Sequence, residues 1–467
     1  MERLVVVLMA AAVLLSSTVV KAALPPDNVS VQWNLLLNGL ICNVTGYHDP
    51  IIIQTGMNLA QWHGLLALKQ TGGCTKPEAV IAYASREILA NYFPQQQDRV
   101  LDPFLAAKLV ALKLSKSEKK LAKRLGEAVA RRLLSKREIA YEFALDELRD
   151  AINARQANPT PGLIRFLPND PVFGPDAFFV THNIALQQPY VIPDPVKYVE
   201  EHLGDLKPMK VPSDEWDVQY DFLKDIGRID WPGRTYDMNY TASLYLCGRA
   251  NTTYCLIIGS FWTVATINIL PANTTLYDIV ETFAKVSVAL HDALIVVAQQ
   301  KDGYWFWRPQ MAYEAGDARH QPWPTWTPYG RVIFTGEYPS GTTMSYGAAA
   351  TVLQSYFGKK KVPFTVDGGG VFEGTSCYLA GTKVKSRRFE SPWAAVEEAK
   401  LGRMYVGSHY KFSVDDGAEA GRRVAEYVLK HWGDRPASGV LPDSEYLNVY
   451  AELPKKSGDW NPLQYRY

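Results

Sequence analysis

Cysteine is scarce. There are five in 467 residues, an odd number, and no two stand at CxxC spacing. A thiolate zinc site or a thioredoxin-type motif therefore has no support. Charge of one sign is missing as well: 49 Lys and Arg face 48 Asp and Glu, a net charge of +1. Such a chain has no global field with which to gather nucleic acid or an anionic membrane. Strong period-two alternation is absent, which leaves a β-barrel or sandwich without support. Beyond residue 22 there is also no convincing membrane span. The best stretch, 255–270, barely reaches the minimum length and carries Ser260, Thr263, Thr266 and Asn268.

The N-terminus is the exception. Met1-Glu2-Arg3 leads into an apolar run from Leu4 to Val20, and Val20-Lys21-Ala22 places short residues at a cleavage site. This pattern predicts a secretory signal over residues 1–22, a soluble mature chain and an extracellular location. Five N-x-S/T sequons, at Asn28, Asn43, Asn239, Asn251 and Asn273, are candidate glycosylation sites on the same route. In an oxidising compartment Cys42 could pair with Cys74 and Cys247 with Cys255, leaving Cys377; other pairings are equally allowed.

With 12 Trp, 26 Tyr and 17 Phe the chain can bury a large core. Helical periodicity runs through residues 55–70, 77–93, 98–114 and 117–135, then from about Asp214 and again over 275–300, 342–357, 391–402 and 416–432. Over 275–300 the residues Leu276, Ile279, Val280, Phe283, Val286, Leu290, Leu294 and Val297 make an apolar stripe. In the fourth segment Lys119, Lys120, Lys123, Arg124, Arg131 and Arg132 oppose the apolar face. With no interleaved aromatics this is read as a solvated face. Pro, Gly and Asn mark 156–175 as irregular, and Pro189 to Pro212 as a second irregular stretch. The expected fold is all-α: a helical bundle over 23–155, linker and loops over 156–212, a second bundle over 213–435 and a tail over 436–467.

Three segments carry candidate chemistry. In the first, Lys301 and Arg308 lie seven residues apart, a spacing that on one helix puts both on the same side and suits a tetrahedral oxyanion. In the second, Tyr338-Pro339-Ser340-Gly341 opens a helix whose free amides and Ser340 hydroxyl could cradle an anion. The third, from Arg403 to His409, adds a cation and a candidate nucleophile or ligand. Each alone reads as ordinary structure: an exposed Lys, a capping Ser, a core His.

In this order, K-x6-R-P, P-S-G and R-x5-H, the motifs resemble those of the vanadium-dependent haloperoxidase and PAP2-type acid phosphatase superfamily. The likeness extends to Asp292-Ala293, the Trp326-Thr327-Pro328 loop, the Ala-rich helix after Gly341 and the helix after Gly417, and covers about 210–435. The membrane phosphatase branch usually has Asp four residues after the histidine; here that position is Ser413. The soluble haloperoxidase branch is the better match. The resemblance implies vanadate as cofactor, with phosphate as a competing oxyanion. His409 would be the axial metal ligand, and Lys301, Arg308, Arg403, Ser340 and Gly341 would bind the equatorial oxygens. Lys301 would polarise hydrogen peroxide for attack by a halide. In the phosphatase alternative His409 attacks a phosphate ester and becomes a phosphohistidine. A non-catalytic oxyanion-binding relative is the third reading.

One departure matters. The family's second motif usually continues P-S-G-H, and here the fourth residue is Thr342. Thr cannot serve as a general acid near neutral pH. Three outcomes follow: another group substitutes, with His291 or His320 as candidates; activity survives on bromide or iodide rather than chloride; or the protein binds an oxyanion and turns over poorly. Asp292 is a candidate carboxylate holding one of the site cations.

Overall fold

The computed structural model describes residues 24–41, 50–135, 160–164, 184–245, 256–330, 335–358, 361–366 and 387–433. The expected signal over 1–22, Asn43, Asn251, the other four cysteines and the 436–467 tail lie outside them. The chain is mostly helical, as its periodicity predicts.

Helices α1 (Val29–Ile41), α2 (Pro50–Thr71), α3 (Pro77–Tyr92), α4 (Asp102–Leu112) and α5 (Lys116–Ser135) form the first bundle. In α5 Ala122, Leu125, Val129 and Leu133 are buried, whereas Lys119, Lys120, Lys123 and Arg124 are exposed. Arg131 instead bonds Glu87 and Glu127. The stretch Pro189–Pro212, expected to be irregular, contains α6 (Pro195–His202). Asp194 caps it by accepting from the Val196 and Lys197 amides. This Asp-Pro start is a helix N-terminus signal that the density of prolines obscures.

The second half comprises α7 (Asp214–Ile226), α8 (Tyr236–Leu244), α9 (Leu256–Ile269), α10 (Leu276–Tyr304), α11 (Pro309–Ala315), α12 (Gly341–Phe357), α13 (Pro392–Val406) and α14 (Lys411–Lys430). Strands β1 (Phe364–Val366) and β2 (Arg387–Phe389) pair antiparallel. The apolar stripe of α10 marks its longest contact face, but the helix is buried on nearly every side from Ile279 to Ala298. It is the central rod. On one flank Thr55 of α2 donates to the Ser287 carbonyl (2.9 Å) and Asn58 to the Ser287 hydroxyl (2.7 Å). One continuous hydrophobic core therefore joins the two bundles.

Helices α12 and α14 pack closely through small residues. A Cβ on Gly417 would stand 2.6 Å from the Ser340 carbonyl oxygen, so only glycine fits there. Among the described residues no helix is long and apolar enough to cross a membrane. Cys74 is exposed and makes no disulfide among the described residues, and Cys42 lies outside them. Of the sequons, Asn273 lies exposed in the turn before α10. Asn239 sits inside α8 with its side-chain oxygen held by Arg234, and Asn28 accepts from the Ser30 and Val31 amides at the start of α1.

Candidate active site

The sequence-predicted residues converge at one end of the second bundle, where several helices begin or end. Lys301 stands in the last turn of α10, and Arg403 in the last turn of α13. Ser340 caps α12, with its hydroxyl accepting from the Thr343 amide, and Gly341 is that helix's first residue. His409 lies in the short connection between α13 and α14. The side chains are buried, Lys301 7% exposed and Arg308, Arg403 and His409 2%, and Gly341 is half-buried.

Lys301 and Arg308 do not share a helix face, contrary to the expectation from their spacing. Helix α10 ends at Tyr304, and Trp305 turns the chain in the left-handed region (φ 51°). Pro309 holds the residue before it out of helical geometry, so Arg308 is extended (φ −75°, ψ 155°). The two cations are brought together by this reversal and by the segment 335–340 that crosses between them. Lys301 Nζ donates to the carbonyls of Gly336 (2.5 Å) and Glu337 (3.0 Å). Arg308 donates to the Thr335 carbonyl and hydroxyl, the Gly336 and Ser408 carbonyls and His409 Nε2 (3.0 Å). Arg403 Nη1 donates to the Tyr245 carbonyl, and its Nε is buried without a hydrogen-bond partner among the described residues.

The electrostatics follow from this crowding. Burial, then Arg308 and Arg403, push the Lys301 ammonium well below the usual lysine range, against the opposing pull of Glu337. Burial, then Arg308, Arg403 and Lys301, push His409 well below its ordinary value, so the imidazole is neutral. Asp302 also acts on Lys301, and among the described residues Glu337 is the fully buried carboxylate beside these three basic groups. Its Oε1 lies 2.8 Å from His409 Nδ1 and accepts from the Tyr410 amide (3.1 Å). Sequence reasoning missed Glu337. It lies two residues before Pro339, but its partner is 72 residues away, and nothing local marks it. Ser413, where the phosphatase branch places Asp, has its hydroxyl beside the Glu337 carboxylate.

Two expectations are corrected. Asp292 holds no site cation. Its carboxylate accepts from the amides of Tyr190 (2.7 Å), Val191 (2.8 Å) and Ile192 (3.1 Å), and so pins that loop to α10. The two candidate substitutes for the missing histidine are engaged elsewhere. His291 contacts Asp292 and the Tyr190 ring, ten residues up α10 from Lys301, about 15 Å along the axis. His320 is bound to Asp317 and stacks on Tyr220. Thr342 is buried in the first turn of α12, one residue past Gly341.

An aromatic shell surrounds the site: Trp216, Phe306, Trp307, Tyr338, Tyr410 and Phe412 form one buried cluster. Trp326 of the Trp-Thr-Pro loop belongs to it and packs on Tyr313.

Residues 281–435 match a family model described as the VCPO second helical-bundle domain. No curated protein matches the chain by sequence. Among solved structures, a bacterial vanadium-dependent iodoperoxidase is similar at 18% identity and TM-score 0.65, covering 87% of this chain and 96% of its own. A bacterial vanadium-dependent chloroperoxidase in its holo form is similar at 14% identity and TM-score 0.57, covering 90% and 97%. Its apo form gives 14%, 0.55, 82% and 93%. The chain therefore has the vanadium haloperoxidase fold, and its second bundle matches that family's domain over residues 281–435.

Proposed function

We propose that this is a secreted, vanadate-dependent haloperoxidase-like enzyme that oxidises bromide or iodide with hydrogen peroxide. The observation that carries the reading is the buried excess of positive charge beside a neutral imidazole. Among the described residues Lys301, Arg308 and Arg403 have one buried carboxylate beside them, Glu337, with Asp302 acting on Lys301 from the end of α10, and buried charge of one sign is costly unless a counter-charge is bound. A compact oxyanion supplies that charge.

The residues fit such a group. Lys301 has three N–H donors and uses two on carbonyls, leaving one for an anion oxygen. The Arg403 Nε–H is a second donor without a protein acceptor among the described residues. Arg308 spends its donors on protein atoms, so to hold an anion it releases His409 Nε2. The amides at the start of α12, with the Ser340 hydroxyl, add donors to the same end of the bundle. When bound, vanadate supplies a Lewis-acid centre that activates peroxide without changing its own oxidation state. Neutral His409 has a lone pair to give it. The fixed cations hold negative charge with little reorganisation. Lys301, with its lowered proton affinity, stands ready to polarise or protonate an oxygen atom beside it. Thr342 offers a hydroxyl but no titrating acid, which supports the bias toward more easily oxidised halides.

The test is an assay of purified protein with orthovanadate, hydrogen peroxide, bromide or iodide and a halogen-accepting dye. Vanadate-dependent halogenation that disappears in His409→Ala is expected. Hydrolysis of an aryl phosphate without halogenation would favour the phosphatase alternative. Oxyanion binding without turnover in either assay would favour the non-catalytic one. Secretion is tested by N-terminal sequencing of protein from culture medium, with a start at Ala23 expected.

A further inference from the structure

We infer that Glu337 is the positioning residue of His409, holding its Nδ1–H so that Nε2 is left as the unprotonated nitrogen turned toward the cations. This rests on the reading of the site as an oxyanion centre, and it adds a residue that none of the three motifs contains.

Glu337 Oε1 lies 2.8 Å from Nδ1, while Arg308 Nη1 lies nearer Nε2 (3.0 Å) than Nδ1 (3.5 Å). With Glu337 ionised, its carboxylate accepts from Nδ1–H, and the guanidinium, nearer Nε2, meets the bare nitrogen. The imidazolium would press a proton against Arg308. Nδ1–H to Glu337 and a bare Nε2 is the arrangement that remains. Glu337 is itself fixed from four directions. Its amide donates to the Phe306 carbonyl (2.8 Å), and its carbonyl accepts from Lys301. Its carboxylate accepts from the Tyr410 amide as well as the ring, and the Ser413 hydroxyl is close by. The same residue thus sets the height of the Lys301 ammonium and the orientation of the His409 ring. Partners of this kind fix the tautomer of a ligating histidine and raise its basicity, and their loss typically weakens ligand affinity about 10–100-fold.

The experiment uses the full chain labelled with 15N-histidine, examined by NMR and titrated with orthovanadate by calorimetry. Wild type is expected to show a neutral His409 protonated at Nδ1, assigned by its disappearance in His409→Ala. Glu337→Met removes the acceptor; it should shift the His409 resonances toward a mixed tautomer and weaken orthovanadate binding about 10–100-fold. Glu337→Gln keeps an acceptor oxygen in place. It should retain the Nδ1–H tautomer and bind more tightly than the Met variant, which separates positioning from a general loss of folding. A wild-type ring protonated at Nε2, or a Met variant that binds like wild type, would overturn the inference. The Nδ1–H tautomer without orthovanadate binding would uphold the geometry and refute the oxyanion reading instead.

Discussion

Arg308 Nη1 lies 3.0 Å from His409 Nε2 and 3.5 Å from Nδ1, while Glu337 Oε1 lies 2.8 Å from Nδ1. A guanidinium and an imidazole in direct contact, both buried, are stable only if the ring stays neutral. The contact therefore reports the protonation state of His409 and identifies the nitrogen that an incoming anion would meet. It also couples the first motif to the third, because Arg308 must exchange one protein partner for a ligand.

The Glu337–His409 pair makes stability depend on pH in a way that a substitution can expose. His409 lies well below its ordinary 6.5, so under that value the unfolded chain binds a proton that the folded chain refuses, and stability falls as pH falls. Burial raises Glu337 above its ordinary 4.5, so from there up to its raised value the folded chain binds a proton that the unfolded chain lacks. Stability from this group grows as pH falls through that window. The two trends oppose each other in wild type. Glu337→Gln removes the second and should lose stability more steeply between pH 6.5 and 5, by up to about 1.4 kcal/mol per pH unit. Urea denaturation at a series of pH values checks this; parallel slopes would contradict it.

Asp292 serves the fold and not the site. Asp292→Asn leaves backbone amides of the 190–192 loop facing an amide group, at a cost of about 1–3 kcal/mol. The expected outcome is a lower melting temperature with unchanged orthovanadate affinity. A selective loss of affinity in a protein of unchanged stability would place Asp292 in the site after all.

Gly417 supports the site through packing. In Gly417→Ala the new methyl would sit 2.6 Å from the Ser340 carbonyl oxygen and 3.3 Å from the Ser340 nitrogen. The cap of α12 must then move. Overpacking of this kind costs about 1–3 kcal/mol. Thermal denaturation should show the loss, and anion affinity should fall with it because Ser340 and Gly341 are displaced.

Thr342→His restores a titrating group one residue past Gly341. If the missing acid alone limits catalysis, halogenation should rise about 10²–10⁴-fold. An unchanged rate in a folded, anion-binding variant would place the limitation elsewhere.

Helix α14 was legible in the sequence because it buries one face and leaves a period near 3.6, and α10 because a stripe of large apolar residues runs along it although smaller residues bury its other sides too. Helices α1 and α9 were not, since their apolar residues spread around the helix and leave little contrast between faces. The site residues were legible as an ordered set of motifs, but not their geometry. Spacing placed Lys301 and Arg308 on one helix, although Pro309 already marked Arg308 as non-helical. Asp292 carried a charge near the motifs, yet its partners are amides about a hundred residues away in the chain. Glu337 was invisible for the same reason: its role is written in a contact with His409 and in no local pattern.

The central claim is that His409, Lys301, Arg308 and Arg403 together hold one oxyanion. The most direct measurement is a crystal structure of the full chain grown with orthovanadate, with vanadium located by its anomalous scattering. The account predicts a single strong peak bonded to His409 Nε2, with Arg308 turned from the ring toward the anion. A peak elsewhere, or none while the Arg308–His409 hydrogen bond stays intact, would contradict it.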